Sequence, residues 1–394
     1  MINIGTAMDH DIIIIGAGPA GLSFAREMAD SNLNILMIEK QSDEILANPA
    51  YDGREIALTH LSHRIMSDLN MWDLIPSDDI ALIKSAKVLN GNSPYALSFD
   101  HKEVGKENLG FMISNHLIRK AAYQSIKDFD NIKVMDETEV LKIGTDNDKG
   151  WVELLNGKRL EAPLLIAADS RFSNTRRMMG ISTSMLDFGR TCIVCTMSHE
   201  LPHDNTAYEC FHYDRTVAVL PMNKGQVSVV ITLKSEESDA LLNMDAQEFA
   251  NDVAKRIENK FGNMKLSSEL YPYPLVASIA KTFCKTRFAV IGDAAIGMHP
   301  VTAHGFNLGL GGARMLANNL KKDGINSQNA LEKYSRKHRR HAAPIYHGTN
   351  AVVKLYTQNY KTAKFARKAL LRLGNHIKPA KRLIMNQLTE IKEA

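Results

Sequence analysis

Residues 11–40 read DIIIIGAGPAGLSFAREMADSNLNILMIEK, and the rest of the chain is arranged around them. Ile12 to Ile15 form a short apolar run that suits a parallel strand buried on both faces. Gly16-Ala17-Gly18-Pro19-Ala20-Gly21 follows as G-x-G-x-x-G and opens a helix expected to run through Met28. A second apolar run, Ile35 to Ile38, ends in Glu39 and Lys40. Each part has a chemical reason. Gly16 allows a tight turn, Gly18 lets backbone approach a pyrophosphate, and Gly21 lets helix and strand pack closely. The helix N-terminus offers free N–H groups and a positive dipole end to phosphates. Glu39 stands where a carboxylate accepts from a ribose hydroxyl. Strand, helix, second strand and acidic end in register indicate dinucleotide binding. On these residues alone, NAD, NADP and FAD all remain open.

The chain has 394 residues, 44% apolar and 23% charged, the composition of a globular protein of two or three domains. No run approaches the length of a membrane-spanning helix. No basic stretch followed by an apolar one marks a signal peptide. Residues 1–7 read as an extension, with Met8 as an alternative start. Four cysteines, Cys192, Cys195, Cys210 and Cys284, suggest a reducing compartment without a disulfide framework. The net charge of +4 is uneven: residues 351–394 carry ten Lys/Arg against two Asp/Glu, and the remainder 38 against 42. The chain therefore reads as a mildly acidic body with a basic tail.

Past Glu39, residues 41–53 read as a loop leading to Asp52-Gly53-Arg54-Glu55-Ile56-Ala57-Leu58. Arg54 is placed to meet a phosphate or a flavin edge, or is simply a surface arginine. Helices are expected over 59–69, 115–126 and 246–261, from apolar residues at helical spacing. Strands are expected over 132–135, 151–155, 164–168 and 288–291, with short strands and a 91–94 turn between 86 and 112. Residues 191–233 alternate β-branched positions and predict a mostly antiparallel sheet. Cys192 and Cys195 fall three apart in its first strand and so face opposite sides, as core thiols rather than a redox pair.

The second strong signal is Gly292-Asp293-Ala294-Ala295 at a strand end, where an aspartate can accept from a sugar-like hydroxyl. Met298-His299-Pro300 is expected to break a helix, and Gly305-Phe306-Asn307-Leu308-Gly309 to start another. A helix N-terminus aimed at a ligand stabilises negative charge.

Together, GAGPAG with Glu39, Ala168-Asp169-Ser170, and Gly292 to Gly309 resemble the fingerprints of the class A flavoprotein aromatic hydroxylases. Asp52-Gly53-Arg54, Ala57-Leu58, Thr206-Ala207-Tyr208-Glu209 and the 301–309 run are similar to the ubiquinone-biosynthesis hydroxylases of the UbiH/UbiF type and the UbiM branch. The resemblance spans residues 11–373. It implies an α/β fold: a Rossmann-like FAD-binding domain of glutathione-reductase type, an inserted mostly antiparallel β domain for substrate, and a helical C-terminus. The implied division is 1–77, 106–180 and 284–338 for FAD, 78–105 and 181–283 for substrate, and 339–394 as a basic helical region.

The resemblance also implies the cofactor contacts. Gly16, Ala17, Gly18, Pro19, Ala20 and Gly21 hold the FAD pyrophosphate, and Glu39 with Lys40 the adenosine ribose end. Arg54 lies near the flavin, and Gly292 and Asp293 meet the ribityl chain. Pro300 and the backbone of Gly305, Phe306 and Asn307 border the ring, and Asp169 belongs to a motif serving both FAD and NAD(P)H. NAD(P)H reduces FAD, O₂ gives a flavin hydroperoxide, and its distal oxygen reaches an electron-rich ring. The cofactor carries the hard step, so no acid or base is named, and no metal site is expected. No second G-x-G-x-x-G serves NAD(P)H, which suits transient binding of the reductant.

Two positions depart from the family pattern. Ser170 replaces a glycine, which costs backbone freedom if φ must be positive. His304 replaces an amide before the flavin helix and reads either as a substrate or proton-transfer group or, preferably, as satisfying a loop carbonyl. His299 reads as structural. In the tail, residues 364–373 place Lys364, Arg367, Lys368 and Arg372 on one helical side and Phe365, Leu370 and Leu373 on the other. This suits either an anionic membrane surface or packing with a solvated basic face. Nucleic-acid binding is not expected.

The leading expectation is hydroxylation of a polyprenylated phenol or quinol in ubiquinone biosynthesis. The setting is cytoplasmic or peripheral on the inner membrane face, with other enzymes of that biosynthesis as partners. The alternatives are hydroxylation of another aromatic, such as a quinolone or catabolic phenol, and a non-catalytic FAD-binding subunit. A flavin halogenase is disfavoured, since Trp72 and Trp151 form no W-x-W-x-I-P run.

Overall fold

The computed structural model describes residues 9–91, 96–212, 214–300 and 304–357. The expectations for the N-terminal extension, most of the 91–94 turn, residues 301–303 and the amphipathic tail helix lie outside the described residues.

The opening stretch folds as its sequence dictates. Strand Ile12–Ile15, helix Pro19–Met28 and strand Ile35–Ile38 appear in that order. Both strands are buried along their whole length because they sit in the middle of a sheet covered on both faces. That sheet runs Cys284–Lys285, Phe288–Val290, Leu164–Ala167, Ile12–Ile15, Ile35–Ile38, Ile132–Met135. Its last five strands are parallel and the two-residue edge is antiparallel. Register pairs Ile15 with both Ala167 and Ile38, so the turns that follow these strands open on one edge of the sheet.

A larger sheet carries the alternating segments. The 17-residue strand Thr183–His199 pairs antiparallel with Gln226–Lys234 and Tyr271–Ala280, and Thr216–Pro221 and Thr206–Phe211 extend the sheet. Its two faces differ. Ile193, Cys195, Val217, Val219, Val229 and Ile231 pack as one buried cluster with Phe249 and Val253 of helix Ala246–Arg256. Cys192 and Val194 belong to a separate cluster on the other face. The two thiols are thus divided by the sheet, and burial pushes both up to about 12.

Several boundaries moved. The 59–69 helix is His60–Asp68, with Thr59 as N-cap accepting from the Ser62 amide. The 246–261 helix stops at Arg256. Two elements were not foreseen in the 41–58 segment. Helix Asp43–Ala47 is capped by Ser42, and strand Glu55–Leu58 pairs with Gly110–Ser114. No helix precedes Pro300: residues 292–294 make a single 3₁₀ turn, and Ile296–Gly297 pairs with Ser278 and Ile279 of the large sheet. The proline therefore ends a sheet connection rather than breaking a helix. Helices His304–Asp323 and Gln328–Thr357 complete the described fold, the first packed on Pro19–Met28.

Candidate active site

The three motif loops, far apart in sequence, meet above one edge of the parallel sheet. Gly16 has φ +105°, and a Cβ built there would stand 2.5 Å from the Ala168 carbonyl oxygen, so only glycine lets the first loop lie against the second. A Cβ on Gly292 would come 2.6 Å from Ala20 Cβ, and one on Gly309 3.4 Å from Gly292 Cα. The third loop and the long helix thus close on the first loop.

Arginines lock the arrangement. The Arg176 side chain, 2% exposed, donates from Nη1 to the Ala294 carbonyl at 2.6 Å and from Nη2 to the Arg171 carbonyl at 3.2 Å. Arg171 donates from Nη1 to the Val276 carbonyl and from Nη2 to Asp293 Oδ2 at 3.2 Å. Neither arginine was singled out from sequence. Ser170 is not among the residues with positive φ, so it replaces glycine without backbone strain.

Between these loops and the large sheet lies a cavity of about 500 Å³, in the size range of small-molecule sites, roughly 300–1,000 Å³. Of the residues expected to hold FAD, the cavity brings together Gly18, Pro19, Ala20, Arg54, Asp169, Gly292, Asp293, Pro300, Gly305 and Phe306. Gly16, Ala17, Gly21, Glu39, Lys40, Asn307 and His304 do not line it. Glu39 lies against the glycine turn instead: its Oε2 accepts from the Ala17 amide at 2.7 Å and its Oε1 from the Gln41 amide at 3.0 Å. Lys40 is exposed.

Asn307 is buried and works away from the cavity. Its Oδ1 accepts from the Thr59 amide at 3.0 Å and from Ser62 Oγ at 2.6 Å, and its Nδ2 donates to the Ala57 carbonyl at 2.9 Å. It hooks the start of the long helix to strand Glu55–Leu58, which Arg54 immediately precedes. His304 is buried in the first turn of that helix. His299 lines the cavity edge-on to Phe188, and burial beside the Arg171 and Arg190 charges pushes its imidazole down to about 4. It is neutral at physiological pH.

Arg54 is held by Asp52, Nη2 to Oδ2 at 2.5 Å, and lies over the Tyr273 ring at 5.5 Å. Next to it, Glu55 accepts from Ser114 Oγ at 2.7 Å and Tyr51 at 3.4 Å, and burial outweighs those bonds and pushes its carboxyl up to about 7. The far wall is the outer face of the large sheet: Glu209, Thr216, Ala218, Leu220, Val230 and Thr232. Sequence reading used Glu209 only as part of a family block. The available signal was an acid in a strand whose alternate positions, Tyr208 and Cys210, turn to the apolar core.

The residues fit an extended dinucleotide. Nothing lies within 4 Å of a Cβ built on Gly18, which leaves an open cradle at the helix start. Asp169 Oδ1 is buried with no partner among the described residues, ready for a ligand donor. Among the described residues no cluster of metal-binding side chains occurs, and no helix is long and apolar enough to cross a membrane.

Comparison with known proteins agrees with this geometry. The family described as FAD binding domain matches residues 9–349. The ubiquinone hydroxylase UbiM of Neisseria meningitidis serogroup C is 48% identical over 392 residues, covering 97% of this chain and 85% of that protein. The ubiquinone hydroxylase UbiL of Rhodospirillum rubrum is 28% identical, covering 95% and 88%. In fold, the p-nitrophenol 4-monooxygenase PnpA of Pseudomonas putida superposes with a TM-score of 0.78 at 16% identity, over 96% of this chain and 98% of that one. The match runs over most of the chain, and nearly half of its residues are shared with UbiM. The chain therefore belongs to the FAD binding domain family of flavoprotein monooxygenases, among the relatives of the ubiquinone hydroxylase UbiM.

Proposed function

We propose that this protein hydroxylates the aromatic ring of a polyprenylated phenol or quinol intermediate of ubiquinone biosynthesis, with NAD(P)H and O₂ as co-substrates. The observation that carries the reading is the cavity itself. One side is built from the FAD motifs and the other from a separate sheet face, as a cofactor ring facing a substrate ring requires. The ring class rests on the identity to UbiM. When bound, FAD supplies reduction by NAD(P)H and activation of O₂.

The chain's own residues supply placement. The Gly18 cradle and the amides opening helix Pro19–Met28 receive the pyrophosphate, and Glu39 the adenosine ribose. Asp293, braced by Arg171, accepts from the ribityl hydroxyls. Pro300, Gly305 and Phe306 flank the flavin ring, while Asn307 sets the helix that carries them. The sheet face and Phe306 exclude water from the reacting centre. We assign residues 1–77, 106–180 and 284–338 to FAD binding, 78–105 and 181–283 to substrate, and 339–394 to a basic C-terminal region.

A polyprenyl substrate resides in membrane. We propose that the basic C-terminal region meets the anionic inner face, where other enzymes of the pathway assemble. Flotation with phosphatidylglycerol vesicles tests this, and equal binding to neutral vesicles contradicts it. Deleting the gene tests the main reading. Ubiquinone is expected to disappear while one prenylated precursor accumulates; unchanged ubiquinone contradicts it.

A further inference from the structure

We propose that the Glu209 carboxyl group, facing the cavity from the large sheet, receives the hydroxyl of the substrate's aromatic ring and takes its proton as the ring is attacked. This rests on the ring-hydroxylase reading and adds a catalytic residue to it.

Strand alternation fixes where Glu209 points. Its neighbours Tyr208 and Cys210 pack in the core beneath the sheet with Val217 and Val219, so Glu209 stands on the opposite face. There it is paired across the sheet with Ala218 on one side and Val88 on the other. The sheet wall of the cavity is otherwise Thr216, Ala218, Leu220, Val230 and Thr232, and Glu209 is its one ionisable group among the described residues.

The other acidic groups around the cavity each hold at least one protein partner. Glu55 accepts from Ser114, Asp293 from Arg171, and Asp169 from the Thr175 amide. Glu209 has no hydrogen-bond partner among the described residues. Glu209 is half-buried with its carboxyl group open to the cavity, so a ring that displaces solvent there must replace the hydrogen bonds the carboxyl group loses. A ligand hydroxyl meets that deficit, and the wall opposite the flavin motifs is where the substrate ring lies.

Burial alone pushes the carboxyl up to about 8. On its own sheet the groups coupled to its charge are the Cys192 and Cys210 thiols, both pushed up to about 12 and neutral. Arg54, Glu55, Asp169, Arg171, Asp293 and His299 occupy the remaining walls. An ordinary carboxylate falls about 6 pK units short of a phenol near 10, whereas Glu209 falls about 2 short, a far better match for proton transfer.

In the step, the ring O–H bond breaks and Glu209 takes the proton. The electron pair left on oxygen moves into the ring and enriches the carbons ortho and para to it. One of these forms the new C–O bond to one atom of O₂ as the O–O bond breaks, the second oxygen atom leaving as water with the two electrons that NAD(P)H supplies in the proposed reaction. The attacked carbon then releases its hydrogen as a proton, which restores aromaticity, and Glu209 returns its own proton to solvent.

The test is Glu209→Gln in the FAD-loaded full-length protein, with a short-chain prenylated phenol, NAD(P)H and ¹⁸O₂. Flavin content and visible spectrum are expected to be unchanged. Labelled product is expected to fall at least 100-fold while reductant is still oxidised and oxygen leaves as peroxide. Wild-type hydroxylation is expected to rise with pH through about 8, a limb absent in the variant. Glu209→Asp is expected to regain part of the rate and the limb. A second readout is independent of turnover: the anaerobic affinity for the phenol, expected to change with pH around 8 in wild type, where the carboxyl group changes charge beside the ring hydroxyl, and to be flat across that range in Glu209→Gln. Wild-type rate and pH profile in the Gln variant, or the same pH dependence of phenol affinity in both proteins, overturn the assignment. A wild-type protein that forms no labelled product from any phenol overturns the ring-hydroxylase reading instead, so the two failures are distinct.

Discussion

Arg171 and Asp293, 122 residues apart, meet with Nη2 3.2 Å from Oδ2 and Nε 3.4 Å from the same oxygen. The contact ties the loop after strand Leu164–Ala167 to the loop after Phe288–Val290. Asp293 Oδ1 takes no hydrogen bond among the described residues, so one carboxylate oxygen is braced and the other is available to a ligand.

The pair is 29% and 42% exposed at its side chains, so solvent screening limits its own contribution to about 0–1 kcal/mol. Asp293→Ala is therefore expected to shift the melting temperature of the apoprotein little. FAD affinity, followed by flavin fluorescence quenching, is expected to fall at least tenfold, about 1.4 kcal/mol. Equal losses of stability and affinity would give Asp293 a folding role instead.

Two glycines of the first loop separate fold from cofactor. A Cβ on Gly21 would stand 2.2 Å from the Gly16 carbonyl oxygen, whereas one on Gly18 meets nothing within 4 Å. Gly21→Ala is expected to lower the apoprotein melting temperature sharply. Gly18→Ala is expected to leave it unchanged and still weaken FAD retention on a desalting column, because the added methyl occupies the pyrophosphate cradle.

Asn307 is expected to be a stability residue. Asn307→Ala strands the buried Thr59 amide and Ala57 carbonyl, which is expected to cost about 2–3 kcal/mol. Urea unfolding of the apoprotein measures it. The flavin spectrum of the surviving folded fraction is expected to change little.

Glu55 gives the apoprotein a pH signature. Its carboxyl is pushed from 4.5 up to about 7 by burial, so the native state keeps a proton that the unfolded chain releases. Its contribution is thus fully present below about pH 4.5 and lost as pH rises towards 7. Glu55→Gln keeps the acceptor for Ser114 and cannot ionise. It is expected to remove roughly 1–3 kcal/mol of the decline between pH 5 and 7, read from thermal scans of both proteins across that range.

The parallel half of the fold was legible because its signal is local. Four isoleucines, a glycine turn and a helix opened by Pro19 specify residues 12–38 without help from elsewhere, and the structure follows them residue for residue. The faces of the large sheet were legible through alternation, which placed Cys192 and Cys195 on opposite sides. What sequence could not show was which outward face meets solvent and which meets a cavity. Nothing in their own strands marks Glu209, Thr216 and Thr232 as cavity residues; the FAD loops that close over them come from other parts of the chain. Arg171 and Arg176 escaped notice for a related reason: their partners, Asp293, Val276 and Ala294, lie more than 100 residues away. The expectation for Asn307 concerned its backbone beside the flavin; what the helix-start motif could not show is that its side chain turns back to residues 57–62. The helix expected before Pro300 failed because Ile296 and Gly297 were claimed by the neighbouring sheet.

The central claim is transfer of one oxygen atom from O₂ to a prenylated aromatic ring held in the cavity of the FAD-loaded protein. Mass spectrometry after incubation with NAD(P)H, ¹⁸O₂ and a short-chain prenylated phenol tests it most directly. The account predicts a ring-hydroxylated product carrying a single ¹⁸O, formed only with flavin and reductant present. Flavin-loaded protein that oxidises NAD(P)H across a panel of prenylated phenols and quinols yet leaves every ring unlabelled would contradict it.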